Sequence, residues 1–216
     1  MNPDRSSDAL VDDELDVLAE LVPIAGRDII ELGCGAAKLA RSLLERHPDS
    51  KVTGSEVAER QHAKNLASPQ AGLHFGAGGA QAIPFPDASF DVALMLKSLH
   101  HVPMPLLAQA LAEVARVLRP RGYLYVSEPV YGGPLNEVIR LFNDEGIVRT
   151  AAQAAVDAAI RSGAWEQVAE RFFEMPVSFT DFSDFEQRMV RPTFADHRID
   201  DAKLAEIAAT QYANRN

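Results

Sequence analysis

From Val11 to Glu128 the chain alternates between two hydrophobic patterns, helical spacing and short continuous apolar runs. Val11, Leu15, Leu18, Leu21 and Val22 share one helical face, with Asp8, Asp12 and Asp13 at the end where carboxylates favour a helix start. Pro23 and Gly26 end that helix, and Asp28-Ile29-Ile30-Glu31-Leu32 follows as a buried parallel strand. After Gly33-Cys34-Gly35, the residues Leu39, Ala40, Leu43 and Leu44 restore the helical period as far as Pro48. Lys51 to Glu56 reads as a second strand, Val57 to Ala67 as a second crossover helix and Leu73-His74-Phe75 as a third strand. Prolines make Ile83 to Asp87 a loop before the apolar run Phe90 to Leu96, the fourth strand. Leu107, Ala110, Leu111, Val114 and Leu118 line a helix that stops at Pro120 and Gly122, and Tyr123 to Glu128 is a fifth strand.

Five strands alternating with helices predict an α/β fold, a Rossmann-like doubly wound and mostly parallel sheet with helices on both faces. Ligands bind such sheets beyond the carboxyl ends of the strands. The residues there are Glu31 to Gly35, Glu56, Gly76 to Gln81, Lys97 to His101 and Glu128 to Gly133. After Gly133 the pattern becomes helical, with Leu135, Val138, Ile139 and Phe142, the alanine-rich stretch Ala151 to Ile160, and then Trp165 to Phe173. Met175 to Phe179 is expected as a strand, Phe182 to Val190 and Asp200 to Tyr212 as helices. The expected organisation is a core over 1–133, a helical insertion after the fifth strand over 134–174 acting as a lid, and a completion of the core over 175–216.

Composition narrows the partner. The 216 residues are 47% hydrophobic, a globular fraction, and 21 basic against 31 acidic residues leave a net charge of −10. That charge disfavours nucleic acid as a partner and favours a small molecule; a homo-oligomer is compatible with it. The single Cys34 forms no internal disulfide, and no set of closely spaced Cys and His suggests a metal site. The acidic, polar stretch Met1 to Leu18 has no apolar signal core and no stretch is long and apolar enough to span a membrane, so a cytoplasmic setting is expected.

Two glycines at the first strand-to-helix turn, Gly33 and Gly35, let a ligand lie against the backbone. A dinucleotide-binding turn needs a third glycine where this chain has Lys38, which disfavours a nucleotide-dependent oxidoreductase. The Glu31 carboxylate would repel a pyrophosphate and suits a ligand carrying an ammonium. Glu56, at the end of the second strand, is placed to accept hydrogen bonds from both hydroxyls of a ribose. The pattern asks for a nucleoside that bears a cation.

Five stretches carry a family resemblance: Ile29 to Gly35 (IIELGCG), Val52 to Glu56 (VTGSE), Ile83 to Asp91 (IPFPDASFD), Ser98 to Val102 (SLHHV) and Val114 to Gly122 (VARVLRPRG). In this order and spacing they resemble the class I S-adenosylmethionine-dependent methyltransferases, nearest to the UbiE-like branch with a methyltransferase 11 core, over Asp28 to Glu128. The resemblance implies a seven-stranded sheet with an antiparallel last strand, although no clear apolar strand follows Asp200 to Tyr212. It implies S-adenosylmethionine as cofactor and S-adenosylhomocysteine as product, with Glu31, Gly33 and Gly35 at the methionine end and Glu56 on the ribose. The loop after the third strand would hold adenine. The family often has an Asp in a Gly-Asp-Ala turn there, whereas this chain reads Gly78-Gly79-Ala80-Gln81, so Gly79, the Ala80 amide and the Gln81 side chain are the expected substitutes.

Lys97 is counted with the cofactor-binding residues, and His100 and His101 follow the fourth strand where the methyl departs. Either histidine could take a proton from an acceptor, worth roughly 10²–10⁴ in rate, and Tyr131 could join them as a catalytic residue. Direct displacement from a sulfonium also proceeds by positioning alone. The expected function is methyl transfer to an O, N, S or C atom of a small-molecule acceptor, with a cofactor-binding protein without turnover and a nucleotide-dependent oxidoreductase as alternatives.

Overall fold

A computed structural model of the chain describes residues 9–191 and 199–213; Asp8 lies outside them. The elements run β1 (Ala9–Leu10), α1 (Glu14–Leu21), β2 (Asp28–Leu32), α2 (Lys38–Arg46), β3 (Lys51–Glu56), α3 (Glu59–Leu66), β4 (Leu73–Ala77) and β5 (Phe90–Leu96). They continue with α4 (Leu107–Val117), β6 (Leu118–Ser127), α5 (Pro134–Ile139), α6 (Gly146–Arg161), β7 (Phe173–Glu174), α7 (Phe182–Phe185) and α8 (Asp201–Ala213).

Five strands form one sheet in the order β4-β3-β2-β5-β6, every pair parallel. The order reverses between the neighbours β2 and β5, so the crevice beyond their carboxyl ends is where a ligand belongs in such a sheet. Period-two alternation decides the faces. Ile29, Val52, Val92, Leu94 and Tyr125 pack against Leu15 and Leu18 of α1 and Ala40 and Leu43 of α2. Ile30, Leu32, Ala93 and Met95 face the other way, onto α4 and the Ala151 to Ala159 part of α6. Burial of both faces is why these strands read as unbroken apolar runs. The α1 helix begins as expected, with the Asp13 carboxylate accepting from the Leu15 amide at 2.9 Å.

The chain divides into two compact units, Met1–Glu128 with Ala151–Met175 and Pro129–Thr150 with Pro176–Asn216. The division at Thr150 falls within the 134–174 stretch. The second unit has its own core, in which Phe185 is fully buried with Val138, Val190 and Ile207.

Three expectations are corrected. Trp165 to Phe173 is not a helix: α6 ends at Arg161, Gly163 takes a left-handed φ of +76° that terminates it, and Trp165 packs on the sheet core instead. Met175 to Phe179 is not a strand, since Pro176 lacks the amide a ladder needs; the pairing falls earlier, Phe173–Glu174 lying parallel to Ala9–Leu10. Among the described residues the large sheet has five parallel strands rather than seven with an antiparallel last one. No apolar run near the end of the described chain has strand length, and α8 occupies Asp201–Ala213.

Candidate functional site

The turn after β2 is held open by glycine and tied down by its own amides. Gly33, Gly35 and Ala37 all have left-handed φ, +75°, +51° and +55°. A Cβ on Gly33 would lie 2.8 Å from the Ser98 Cβ, whereas one on Gly35 would meet nothing within 4 Å. The turn is thus packed against the exit of β5 at Gly33 and open at Gly35. Ser98 Oγ donates to the Leu32 carbonyl at 2.8 Å. The Gly33 and Cys34 amides both donate to the Ser55 carbonyl at 2.9 and 3.1 Å, and the Ala37 amide donates to Cys34 at 2.8 Å. The Gly35 amide donates to Glu56 Oε2 at 2.9 Å. A phosphate cradle works by aiming such amides at the anion. Four of them are already engaged here, and that argues against a pyrophosphate.

Two carboxylates flank the turn. Glu31 is 5% exposed and its Oε2 is buried without a hydrogen-bond partner. Burial pushes its pKa up to about 8, a hydrogen bond from the Ala40 backbone opposing that in part. A buried anion with no partner is costly, and an ammonium from a ligand would relieve the cost. Glu56 is oriented by two backbone donors, Gly35 at 2.9 Å on Oε2 and Ala58 at 2.8 Å on Oε1. Each carboxylate oxygen has a second acceptor site, which leaves capacity for two sugar hydroxyls. Cys34 lies between them: burial first, then the charges of Glu31 and Glu56, push its thiol up to about 12, so it is a packing residue rather than a nucleophile. The residues present therefore fit a cationic nucleoside at both ends.

The loop after β4 is fastened to the end of β3, with Ser55 Oγ donating to the Gly78 carbonyl at 2.8 Å and the Gly78 amide to the Glu56 carbonyl at 3.3 Å. The Gln81 side chain folds over Gly79, where an added Cβ would lie 2.5 Å from Gln81 Oε1. Gln109 Nε2 donates to the Gln81 carbonyl at 2.8 Å, and Ala80 is buried. Gly79, Ala80 and Gln81 are thus held beside Glu56 through Gly78.

Beyond β5 and β6 the polar side chains are paired with one another. Lys97 has a left-handed φ of +54° and its ammonium is ion-paired with Glu14 of α1, whose Oε1 is buried without a partner. Tyr125, on β6, has its pKa raised by burial and then by the Glu14 charge. His100 is buried and its Nδ1 pairs with a carboxylate oxygen of Glu128. The other oxygen of Glu128 accepts from the Leu99 and His100 amides at 2.9 and 3.3 Å. His101 is exposed, with its ring centroid 4.0 Å from that of His100. Tyr131 belongs to the second unit, where its hydroxyl donates to Asp144 at 2.8 Å and that bond raises its pKa.

The structure thus gathers Glu31, Gly33, Gly35 and Glu56 at one turn, joins Gly79 to Gln81 to them, and commits the Lys97 ammonium to Glu14. Sequence reasoning did not identify the partner role of Glu128, nor Glu14 or Asn65. Glu128 lies 28 residues from His100, Glu14 lies 83 from Lys97, and no periodicity links residues at such separations.

Comparison with known proteins bears on the family and the fold. Residues 30–126 match a family model described as a methyltransferase domain, methyltransferase 11. The chain is 36% identical over 126 residues to an O-methyltransferase of Penicillium expansum, covering 55% of this chain and 44% of that protein. It is 36% identical over 119 residues to the 27-O-demethylrifamycin SV methyltransferase of Amycolatopsis mediterranei, covering 52% of this chain and 43% of that one. The match spans less than half the length of these two curated relatives. Among solved structures, a SAM-dependent methyltransferase of Thermotoga maritima superposes with a TM-score of 0.54 at 25% identity, over 71% of this chain and 70% of that one. Residues 30–126 are thus similar in sequence to methyltransferase domains, and the fold is similar to that of a SAM-dependent methyltransferase. No helix among the described residues is long and apolar enough to cross a membrane.

Proposed function

We propose that this protein transfers a methyl group from S-adenosylmethionine to an oxygen of a small-molecule acceptor. The observation that carries the reading is the buried, unpartnered Glu31 oxygen beside a glycine turn whose amides are engaged. It suits an ammonium and a sulfonium and repels a phosphate. The oxygen acceptor is supported by the names of the two relatives, an O-methyltransferase and a 27-O-demethylrifamycin SV methyltransferase.

When bound, the cofactor supplies a methyl group activated by positive sulfur. Gly33 and Gly35 let it approach the backbone, Glu31 receives its ammonium, Glu56 accepts from the ribose hydroxyls, and Gly79 to Gln81 line the adenine. Lys97 shapes the rim through its backbone, since Glu14 holds its ammonium. An acceptor hydroxyl has a proton to lose. The Glu128 carboxylate accepts from Nδ1 of His100, which fixes the tautomer in which Nε2 is the basic nitrogen. His100 is then the general base and Glu128 its positioning residue, with His101 beside it. The lone buried thiol and the acidic surface fit a reducing, cytoplasmic setting with no nucleic-acid or membrane partner.

Calorimetric titration with S-adenosylmethionine and with NADH tests the cofactor, and mass spectrometry of small molecules released from the purified protein tests it independently. Binding of the sulfonium nucleoside alone is expected. Saturable binding of NADH with none of S-adenosylmethionine would overturn the reading. Transfer of labelled methyl to a hydroxylated acceptor then separates turnover from binding.

A further inference from the structure

The helix α3 buries one side chain, and it is an amide, Asn65, at 3% exposure. An interior-facing position of a short amphipathic helix ordinarily holds an apolar residue, and a buried amide is stable only when its hydrogen bonds are made. All of those made by Asn65 lead to the glycine turn or fix its own orientation. Gln61 Nε2 donates to Asn65 Oδ1 at 2.9 Å, which turns Nδ2 toward the Gly35 carbonyl at 2.8 Å and the Cys34 sulfur at 3.8 Å. The Gly35 amide meanwhile donates to Glu56 Oε2 at 2.9 Å. The peptides on both sides of Gly35 are therefore held, one by Glu56 and one by Asn65. Glycine has the freest backbone of any residue, so a left-handed Gly35 facing open space needs such restraint from outside the turn.

We propose that Asn65 is a positioning residue for the nucleoside: by holding the Gly35 carbonyl it keeps the turn, and with it the Glu56 carboxylate, in register with the ribose. The inference rests on the cofactor reading above and adds to it a residue that does not itself touch the ligand. Glu56 has two tasks, orienting on Gly35 and gripping the sugar. Loosening Gly35 shifts the first and weakens the second. The ammonium contact of Glu31 comes from β2 and is independent of this clamp.

That separation makes the inference testable by calorimetry with two probes, S-adenosylhomocysteine and 5′-methylthioadenosine, which keeps the nucleoside and lacks the amino-acid end. In Asn65→Asp, a near-isostere whose carboxylate cannot donate to Gly35, both probes should bind roughly tenfold more weakly and by similar factors. Glu31→Gln should weaken S-adenosylhomocysteine alone. Gln61→Ala removes only the partner that orients the amide, and should weaken both probes by about two- to threefold. Thermal unfolding establishes that each variant is folded at the temperature of titration. A folded Asn65→Asp that binds methylthioadenosine as the wild type does, or loses only S-adenosylhomocysteine, overturns the inference. If Asn65→Asp does not fold, Gln61→Ala decides by the same criterion. Wild-type protein that binds neither probe overturns the cofactor reading instead, and the inference with it.

Discussion

At the glycine turn Glu31 keeps a buried oxygen without a partner and Glu56 is oriented by backbone amides alone, while beyond β5 and β6 Lys97 and His100 are each paired with a carboxylate. The first arrangement leaves carboxyl oxygens for a cationic ligand to meet, and such a ligand favours their ionised form. The second fixes the protein's own bases in place. On the proposed function the turn is a binding device whose partner comes from outside, and the strand exits are a positioning device built from the protein's own ion pairs.

The largest effect should come from the positioning side. His100→Ala and Glu128→Gln are expected to lower kcat by roughly 10²–10⁴ while leaving cofactor affinity within about threefold, because neither residue touches the turn. Steady-state kinetics with parallel calorimetry checks this, and equal losses in kcat and affinity would merge the two regions into one. Next, Gly33→Ala should cost about 2–4 kcal/mol of stability in denaturant unfolding, since a strained φ of +75° adds to a 2.8 Å clash with Ser98. Gly35→Ala, with space around it, should cost only the strain, about 1–2 kcal/mol. Adding Ser98→Gly to Gly33→Ala should recover the steric part alone.

Glu31 gives the glycine turn a pH signature of its own. Its carboxyl is raised from 4.5 to about 8, so between those values the unfolded chain releases a proton that the folded, ligand-free protein retains. Stability of the free protein should fall as pH rises through that window, and Glu31→Gln should remove this component of the fall. An ammonium ligand prefers the ionised form, so affinity for S-adenosylmethionine should climb over the same window and level off above pH 8 or so. Melting curves and titrations across pH measure both, and an affinity with no pH dependence would leave Glu31 outside the site. The smallest effect is expected at Tyr131, exposed and bonded to Asp144: Tyr131→Phe should leave kcat within about twofold. A larger loss measured in the same assay would give Tyr131 a catalytic role.

The glycine turn was legible in the sequence because its parts are close in the chain and its partners sit on adjacent parallel strands. Glu31, Gly33 and Gly35 end one strand, Glu56 ends the next, and β2 lies beside β3. The pairings of Glu128 with His100 and Glu14 with Lys97 were not legible, because they depend on which distant elements pack together. Asn65 was missed for a related reason: within Glu59–Leu66 it is one polar residue among several, and only burial distinguishes it. The segment after Arg161 misled because Trp165 and Phe172 have helical spacing, yet Gly163 ends the helix and the sheet core takes Trp165.

By itself the sequence determined the alternation of strands and helices and the glycine turn with its two flanking carboxylates, since side-chain periodicity and glycine's freedom act over a few residues. Only the tertiary structure decided which carboxylate holds His100, which amide holds Gly35 and which oxygen of Glu31 is left without a partner. Those outcomes sum many weak contacts across elements far apart in the chain, and no local pattern encodes that sum.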